Sequence, residues 1–170
     1  FSFIAPRLVS VVVMIFALYW LFKAVNMAYH LVRGYLRYRE AIRHHWFELL
    51  QRDHPDTWRQ VTHVVFVPMY KEELAILETT FDCLLNSHYD PKRIIPILCT
   101  EERAGTCAQE VAAAVTKKYA KRFGDFYVTI HPSNLPGEVK GKGPNMTYAA
   151  REVIPQILNK GYKAENILVT

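Results

Sequence analysis

A loop rich in glycine and lysine carries the residue types that most directly suggest ligand chemistry. It runs from Gly137 to Asn145, reads GEVKGKGPN, and holds Lys140 and Lys142 just before a predicted helix. Backbone N–H groups at a helix N-terminus and lysine charges both favour an anion such as phosphate. The loop is not a P-loop, because only three residues separate its first two glycines and a glycine follows the second lysine. A solvated basic loop is the simplest alternative.

Two other short segments carry an aromatic residue and carboxylates at comparable places. Pro68, Tyr70 and Glu72 follow an apolar run that predicts a strand, and Glu101 and its neighbouring glutamate follow a second such run. No glycine-rich turn follows the first run, which excludes a dinucleotide-binding fingerprint. An aromatic ring suits a base or ribose face, carboxylates suit its hydrogen-bond donors, and lysines suit phosphates. Each residue also has a simpler structural interpretation: packing at the sheet edge, a favourable charge near a helix N-terminus, or a solvated loop.

The elements that position these segments alternate between strands and helices. Short continuous apolar runs predict four strands, and apolar residues at helical spacing between them predict three helices; the strand runs are Val64–Val67, Ile94–Cys99, Phe126–Ile130 and Ile167–Val169. The order β-α-β-α-β-α-β predicts an α/β fold with a parallel sheet covered on both faces. Since ligands bind beyond the carboxyl ends of such strands, the three segments are expected to meet at one rim.

Three details of this α/β region are sharper predictions. Thr106 and Gln109 have the spacing of a capping box at the start of the second helix. Pro144 suits the first turn of the third helix. Pro96 removes a hydrogen-bond donor from the second strand, so we expect a bulge or an edge position there.

The beginning of the chain has the composition of a membrane helix. Leu8 to Phe22 is apolar except for Ser10, and a run of about 20 residues is reached at Met27 if Lys23 is included. A secretory hydrophobic region and a buried core helix are the alternatives, although no small-residue cleavage site is evident. We therefore predict a transmembrane helix in residues 1–29.

A second helix is predicted directly after it. Apolar and aromatic residues recur every three or four positions from Leu31 to Leu49, which predicts an amphipathic helix. Such a helix either lies in the membrane interface or packs on the following domain. A turn-rich break at residues 53–56 follows, so residues 30–60 form a juxtamembrane helix and linker, and residues 61–170 form the globular part.

The distribution of charge predicts how the chain is oriented in a membrane and which class of partner is disfavoured. Residues 23–60 hold seven Lys or Arg against four Asp or Glu, whereas residues 61–170 hold thirteen against twelve. The basic excess lies beside the apolar segment, which predicts an integral membrane protein whose globular part faces the cytoplasm. A nucleic-acid partner is disfavoured, because it would require a basic face on the folded domain. Three cysteines without CxxC spacing predict free thiols rather than a zinc site or disulfides.

Several segments of residues 62–170 resemble glycosyltransferase family 2, the nucleotide-sugar enzymes of the GT-A fold. Residues 67–72, VPMYKE, resemble its Pro-x-Tyr-Asn-Glu motif. Residues 84–91, LLNSHYDP, resemble the end of its first helix. Residues 135–145, LPGEVKGKGPN, followed by Ala149 resemble its Gly-Lys-x-x-Asn…Ala segment, and residues 166–170 resemble the strand before its metal-binding Asp-x-Asp. The preceding apolar helix is similar to that of membrane-bound members.

The resemblance implies the Rossmann-like, nucleotide-binding half of a GT-A fold and specific donor contacts. It places Pro68, Tyr70, Glu72, Glu101, Lys142 and Asn145 at the donor, which is expected to be a nucleotide-diphosphate sugar such as a UDP-sugar. Lys140 is expected to be the less important lysine. Lys71 where the family has Asn, and two glutamates where it has an Asp pair, leave the identity of the base open.

The implied activity is transfer of the sugar, with inversion, to a lipid-linked or polysaccharide acceptor at the bilayer. A divalent metal, Mg²⁺ or Mn²⁺, is implied as cofactor. The chain lacks an opening Met and stops within an apolar run, so we expect a piece of a longer protein. The catalytic base and the metal ligands are then expected after Thr170. A non-catalytic membrane-tethered nucleotide-binding module and a membrane-tethered nucleotidyltransferase are the alternatives.

Overall fold

The computed structural model describes residues 5–170, which divide into two compact units. One unit ends at Asp53 and the other begins at His54. The first is helical, and the second is a mixed α/β unit built on a parallel sheet.

The first unit consists of a long helix and a short one. Helix α1 spans Pro6–Ala41, with a proline in its first turn as helix starts favour. Its 36 residues give a length of about 54 Å at 1.5 Å per residue. Helix α2 spans Trp46–Asp53. By length and composition α1 could cross a membrane, a test that signal sequences near an N-terminus also meet.

The division between these two helices differs from the sequence prediction. We expected a membrane helix ending near residue 29 and a separate helix over residues 31–49. Instead α1 continues to Ala41, because no proline interrupts the helical spacing and the single Gly34 is tolerated. The chain turns at residues 42–45, where the indole N–H of Trp46 donates to the carbonyl of Ala41 at 2.8 Å. The predicted break after Asp53 is confirmed.

The second unit has the predicted order of four strands and three helices. Helices α3 to α5 connect the successive strands β1 to β4. The bounds are β1 Thr62–Pro68, α3 Leu74–Leu85, β2 Ile94–Glu101, α4 Thr106–Tyr119, β3 Tyr127–His131, α5 Lys142–Asn159 and β4 Ile167–Val169. All strand pairs are parallel, in the order β3-β2-β1-β4. The predicted α/β class with a parallel sheet is therefore confirmed.

Helices cover both faces of this sheet. On one face, α3 and α4 pack over β1 and β2 around the fully buried Phe81 and Tyr119. On the other face, α5 packs through Ala149, Val153 and Ile157. Strand β2 is buried along its whole length, as expected for a strand with neighbours on both sides and helices on both faces.

Pro96 does not lie at a bulge or on an edge strand. The pairing of β1 with β2 runs without interruption through Pro96, opposite Val65. The pairing of β2 with β3 begins one residue later, at Ile97. The carbonyl of Ile94 accepts from Gly124 on the β3 side, and alternation along the strand turns the nitrogen of Pro96 toward that same side. The missing donor therefore falls where β3 has not yet begun.

The predicted capping box is also not formed. Thr106 is the first residue of α4, Gly105 precedes it with a φ of 85°, and no side chain caps the helix. The side chain of Gln109 instead contacts the end of β2, with its amide nitrogen 3.4 Å from the carbonyl of Glu101. Pro144 does lie in the first turn of α5, as predicted.

Candidate functional site

The carboxyl ends of β1, β2 and β3 lie along one edge of the sheet, as parallel pairing requires. Pro68 at the end of β1 pairs with Cys99 of β2, and Glu101 at the end of β2 pairs with His131 at the end of β3. The segments that follow these strands therefore start side by side. This edge is the candidate site.

Arg103 links the first two of these segments. Its guanidinium forms an ion pair with the carboxylate of Glu101 and lies 4.7 Å from the ring centre of Tyr70. Glu101 is buried, with 6% of its surface exposed, whereas Tyr70 is exposed. The hydrogen bond with Glu101 raises the pKa of Arg103 above its ordinary value. A buried carboxylate, an arginine and an aromatic ring thus form one cluster, which we call the Arg103 cluster.

A small hollow opens beside the Arg103 cluster. Glu101 and Arg103 line one side of it, and residues 131–135 together with residues 138–141 and Pro144 line the rest. Its volume of about 40 Å³ has room for only a few water molecules. Pockets for drug-sized ligands measure about 300–1,000 Å³, so a nucleotide requires these side chains or the loop to move.

The loop between β3 and α5 is tied to the sheet by two carboxylates. Glu138 accepts from His131 across 2.9 Å, and Glu102 accepts from the backbone N–H of Ser133 across 2.7 Å. That N–H bond lowers the pKa of Glu102. Asn134 and Gly137 have φ angles of 64° and 80°, which asparagine and glycine adopt most readily.

The two lysines of this loop have different positions. Lys140 lines the hollow, and Lys142 does not. Lys142 is exposed and is the first residue of α5. The structure thus brings the lysine that the sequence ranked second to the same hollow as Glu101, and it leaves the favoured one at the adjacent helix start.

Asn145 is buried and does not line the hollow. It is buried in the first turn of α5, where its amide donates to the carbonyl of Cys99 at 2.9 Å. The same carbonyl accepts from the backbone N–H of Met69, also at 2.9 Å. One carbonyl of β2 therefore holds both the start of α5 and the residue after β1. The side-chain oxygen of Asn145 is buried without a hydrogen-bond partner in the described part of the chain.

The remaining predicted site residues shape the segment after β1. Pro68 ends β1 and is half-buried. The carboxylate of Glu72 turns back and accepts from the backbone N–H of Tyr70 at 2.5 Å. Lys71 approaches the same ring, with its nitrogen 5.3 Å from the ring centre. Of the six predicted residues, only Glu101 lines the hollow, and Tyr70 reaches it through Arg103.

Sequence reasoning missed Arg103, His131 and Glu138. The sequence pattern draws attention to carboxylates, an aromatic ring and lysines after the strands, and Arg103 lies one residue beyond the second glutamate after β2. An arginine two residues beyond a carboxylate that ends a predicted buried strand is itself a signal, because such a carboxylate, where it is buried, requires a partner. The pairing of His131 with Glu138 links residues seven apart through an irregular loop, and no sequence period reveals such a contact.

The described residues do not provide a metal site. No group of three or more His, Cys, Asp or Glu side chains that could hold an ion occurs in residues 5–170. The edge carries the aromatic face of Tyr70 and the buried carboxylate of Glu101, which accepts hydrogen bonds. It also carries Lys140 and Lys142 near the N-terminus of the 18-residue helix α5. That combination suits a planar base joined to an anion.

Comparison with known proteins adds no assignment. No protein-family model matches the chain, and neither a curated protein nor a solved structure is significantly similar to it.

Proposed function

We propose that the chain is the donor-binding part of a membrane-bound glycosyltransferase of family 2, with the Rossmann-like nucleotide-binding half of a GT-A fold. The observation that carries the proposal is the Arg103 cluster, which lies beside Lys140 at the carboxyl edge of a parallel sheet. The order β3-β2-β1-β4 supports it, since nucleotide-binding doubly wound sheets have the strand order 3-2-1-4 and bind their ligands at this edge.

The base and the diphosphate of a nucleotide-diphosphate sugar each have partners in this proposal. The ring of Tyr70 stacks on the base, and the buried carboxylate of Glu101 accepts hydrogen bonds from the N–H groups of the base. Lys140, the exposed Lys142 and the N-terminus of α5 attract the diphosphate. Pro68, Glu72 and Asn145 act on the shape of the site, since they hold the segment after β1 and the start of α5.

The proposed reaction is displacement at the anomeric carbon by an acceptor hydroxyl, with inversion. A UDP-sugar is the proposed donor, and a lipid-linked or growing polysaccharide is the proposed acceptor. A divalent Mg²⁺ or Mn²⁺ would supply positive charge at the departing diphosphate, and the resemblance implies that its ligands follow residue 170. We assign no catalytic residue to residues 5–170, because the resemblance implies that the catalytic base also follows residue 170. We assign no metal ligand there either, because the described side chains form no group that could hold an ion.

The binding experiment is isothermal titration of the full chain in lipid nanodiscs with UDP and, separately, with ATP. UDP should bind, and Tyr70→Ala and Glu101→Gln should each weaken binding about tenfold, the loss expected for a stacked ring or a charge-assisted hydrogen bond. Glu78→Gln is the matched control. Glu78 lies on α3 and forms an ion pair at 2.8 Å with Lys118 of α4, and neither residue lines the hollow.

Three outcomes would contradict the site, the donor or the activity in turn. If the Tyr70 and Glu101 variants bind UDP as tightly as the wild type does, UDP binds elsewhere. Stronger binding of ATP than of UDP would favour a nucleotidyltransferase. UDP binding without any transfer of sugar by the full-length protein, with metal present, would favour the non-catalytic module.

The proposed topology is a span by α1, with residues 54–170 in the cytoplasm. Cys83 and Cys107 are exposed in the α/β unit and serve as natural probes. A membrane-impermeant maleimide should leave both thiols unlabelled in intact cells and label both after lysis. Labelling in intact cells would reverse the orientation, and release of the protein by alkaline carbonate would contradict the span.

A further inference from the structure

Arg103 occupies the two groups that the proposed function assigns to the base of a nucleotide. Its guanidinium is paired with the carboxylate of Glu101 and covers the ring of Tyr70 at 4.7 Å. A base cannot stack on that ring face, or bind the carboxylate oxygen that Arg103 occupies, while the arginine remains there. The hollow of about 40 Å³ beside the pair is too small for a base as it stands.

Of the two members of the ion pair, the arginine has the freedom to move. Its side chain is 30% exposed, and that of Glu101 is 8% exposed. The carboxylate comes from the end of a fully buried strand, whereas the arginine comes from a three-residue turn between Glu102 and Ala104. Arg103 and Lys140 line the same hollow, so a displaced guanidinium stays close to the lysine and to the start of α5.

We propose that Arg103 exchanges partners when the donor binds, and that this exchange makes the site select nucleoside diphosphates over bare nucleosides. This inference rests on the proposed function. The base replaces the guanidinium on Tyr70 and on Glu101. The released guanidinium forms bidentate hydrogen bonds with the diphosphate, a geometry for which arginine is suited and lysine is not.

The selectivity follows from what each ligand returns to the arginine. A nucleoside removes both contacts of Arg103 and offers its guanidinium nothing, so part of its binding free energy is lost in breaking the ion pair. A nucleoside diphosphate breaks the same contacts and supplies two charge-assisted hydrogen bonds. The ratio of the two affinities therefore reports the exchange.

The test measures uridine and UDP binding to the full chain in nanodiscs, with Arg103→Gln as the main variant. Glutamine can still donate to Glu101, so the buried carboxylate keeps a partner, but it carries no charge for the diphosphate. UDP binding should weaken about tenfold, whereas uridine binding should stay within twofold or become tighter. Arg103→Lys should recover part of the UDP affinity.

Arg122→Gln is the matched control, since Arg122 also lies near a carboxylate and a tyrosine ring. It is 3.8 Å from Asp82 and 5.8 Å from the ring centre of Tyr119, and it does not line the hollow. This variant should leave both affinities unchanged. Thermal unfolding of every variant checks that a lost affinity is not a lost fold.

A spectroscopic measurement makes the exchange visible directly. In wild-type protein with ¹⁵N-arginine, the Arg103 Nε–H signal, identified by its loss in Arg103→Lys, should move when UDP is added and move less with uridine. UDP binding with an unmoved signal, or equal weakening of uridine and UDP by Arg103→Gln, would overturn the exchange alone. A wild-type chain that binds neither ligand would overturn the proposed function and the exchange together.

Discussion

The helical unit and the α/β unit treat their apolar side chains in opposite ways. Within the described residues up to Asp53, no residue of α1 or α2 is buried, and side chains such as Phe16 are 62% exposed. In the α/β unit, Phe81 is completely buried, with aromatic neighbours on several sides. Both units are rich in apolar residues, but only the α/β unit buries apolar side chains within the described part of the chain.

The difference shows where each unit obtains its stability. Removing apolar surface from water is the main driving force of folding, and the α/β unit does this within its own chain. Helix α1 satisfies its backbone hydrogen bonds internally and leaves its side chains for an apolar environment to cover. A substitution in α1 should therefore change how the helix interacts with its environment. The same kind of substitution in the α/β unit should change the free energy of unfolding.

The largest expected effect comes from truncating one phenylalanine in each unit. Phe81→Ala should lower the free energy of unfolding of the α/β unit by about 3–5 kcal/mol, because the cavity loses ring contacts with Tyr119, Phe123 and Phe126. Phe16→Ala should leave that free energy unchanged. Urea unfolding of the full chain in nanodiscs, followed by near-ultraviolet circular dichroism, measures both. Equal losses would show that the units do not differ in this way.

A pair of glycines sharpens the same comparison at a smaller scale. A methyl group at Gly124 would lie 2.3 Å from the backbone oxygen of Lys92, so Gly124→Ala should destabilise the α/β unit by about 1–3 kcal/mol. Gly34 in α1 has no atom within 4 Å of that position. Gly34→Ala should leave the sheet unaffected and increase the helicity of α1. If Gly124→Ala unfolds at the same urea concentration as wild type, the close approach to Lys92 is wrong.

The smallest expected effect is a dependence on pH that Cys99 gives to the α/β unit. Burial raises the pKa of the Cys99 thiol from 9.0 to about 11. The thiol therefore favours the folded state below pH 9, and this contribution is lost as the pH rises from about 9 to 11. Cys99→Ala should remove that part of the pH dependence. Because no side chain of the described first unit is buried, the helicity of α1 should not follow it.

Alkylation of the cysteines provides the control for this third prediction. Cys83 and Cys107 are exposed and should react with iodoacetamide at pH 8 in the folded protein, whereas Cys99 should react only after unfolding. Modification of Cys99 at the same rate as the other two would contradict its burial in the sheet.

The sequence predicted the elements of the α/β unit well because their signals are local. Continuous apolar runs such as Ile94–Cys99 have few alternatives to a buried strand, and the helical spacing between runs indicates the connections. The meeting of Tyr70 and Glu101 near one edge followed from strand direction alone. These predictions required no knowledge of side-chain contacts.

Other features depended on contacts or burial that local spacing does not encode. The spacing of Thr106 and Gln109 suits a cap, but the glutamine side chain contacts the end of β2 instead. At the end of α1 the indole N–H of Trp46 donates to the carbonyl of Ala41, a contact that no periodicity encodes. Arg103 was overlooked because its importance comes from the burial of Glu101, and burial depends on the whole fold.

The carbonyl of Cys99 has a consequence for any ligand at the sheet edge. Because it accepts from Met69 and from Asn145, the backbone beneath the site is assembled before anything binds. An incoming molecule loses little entropy in ordering that floor, and the rearrangement falls on a few side chains and one loop. Association should therefore be fast. Its rate should be limited mainly by the movement of Arg103 away from Glu101 and Tyr70, while the backbone of the strands stays fixed.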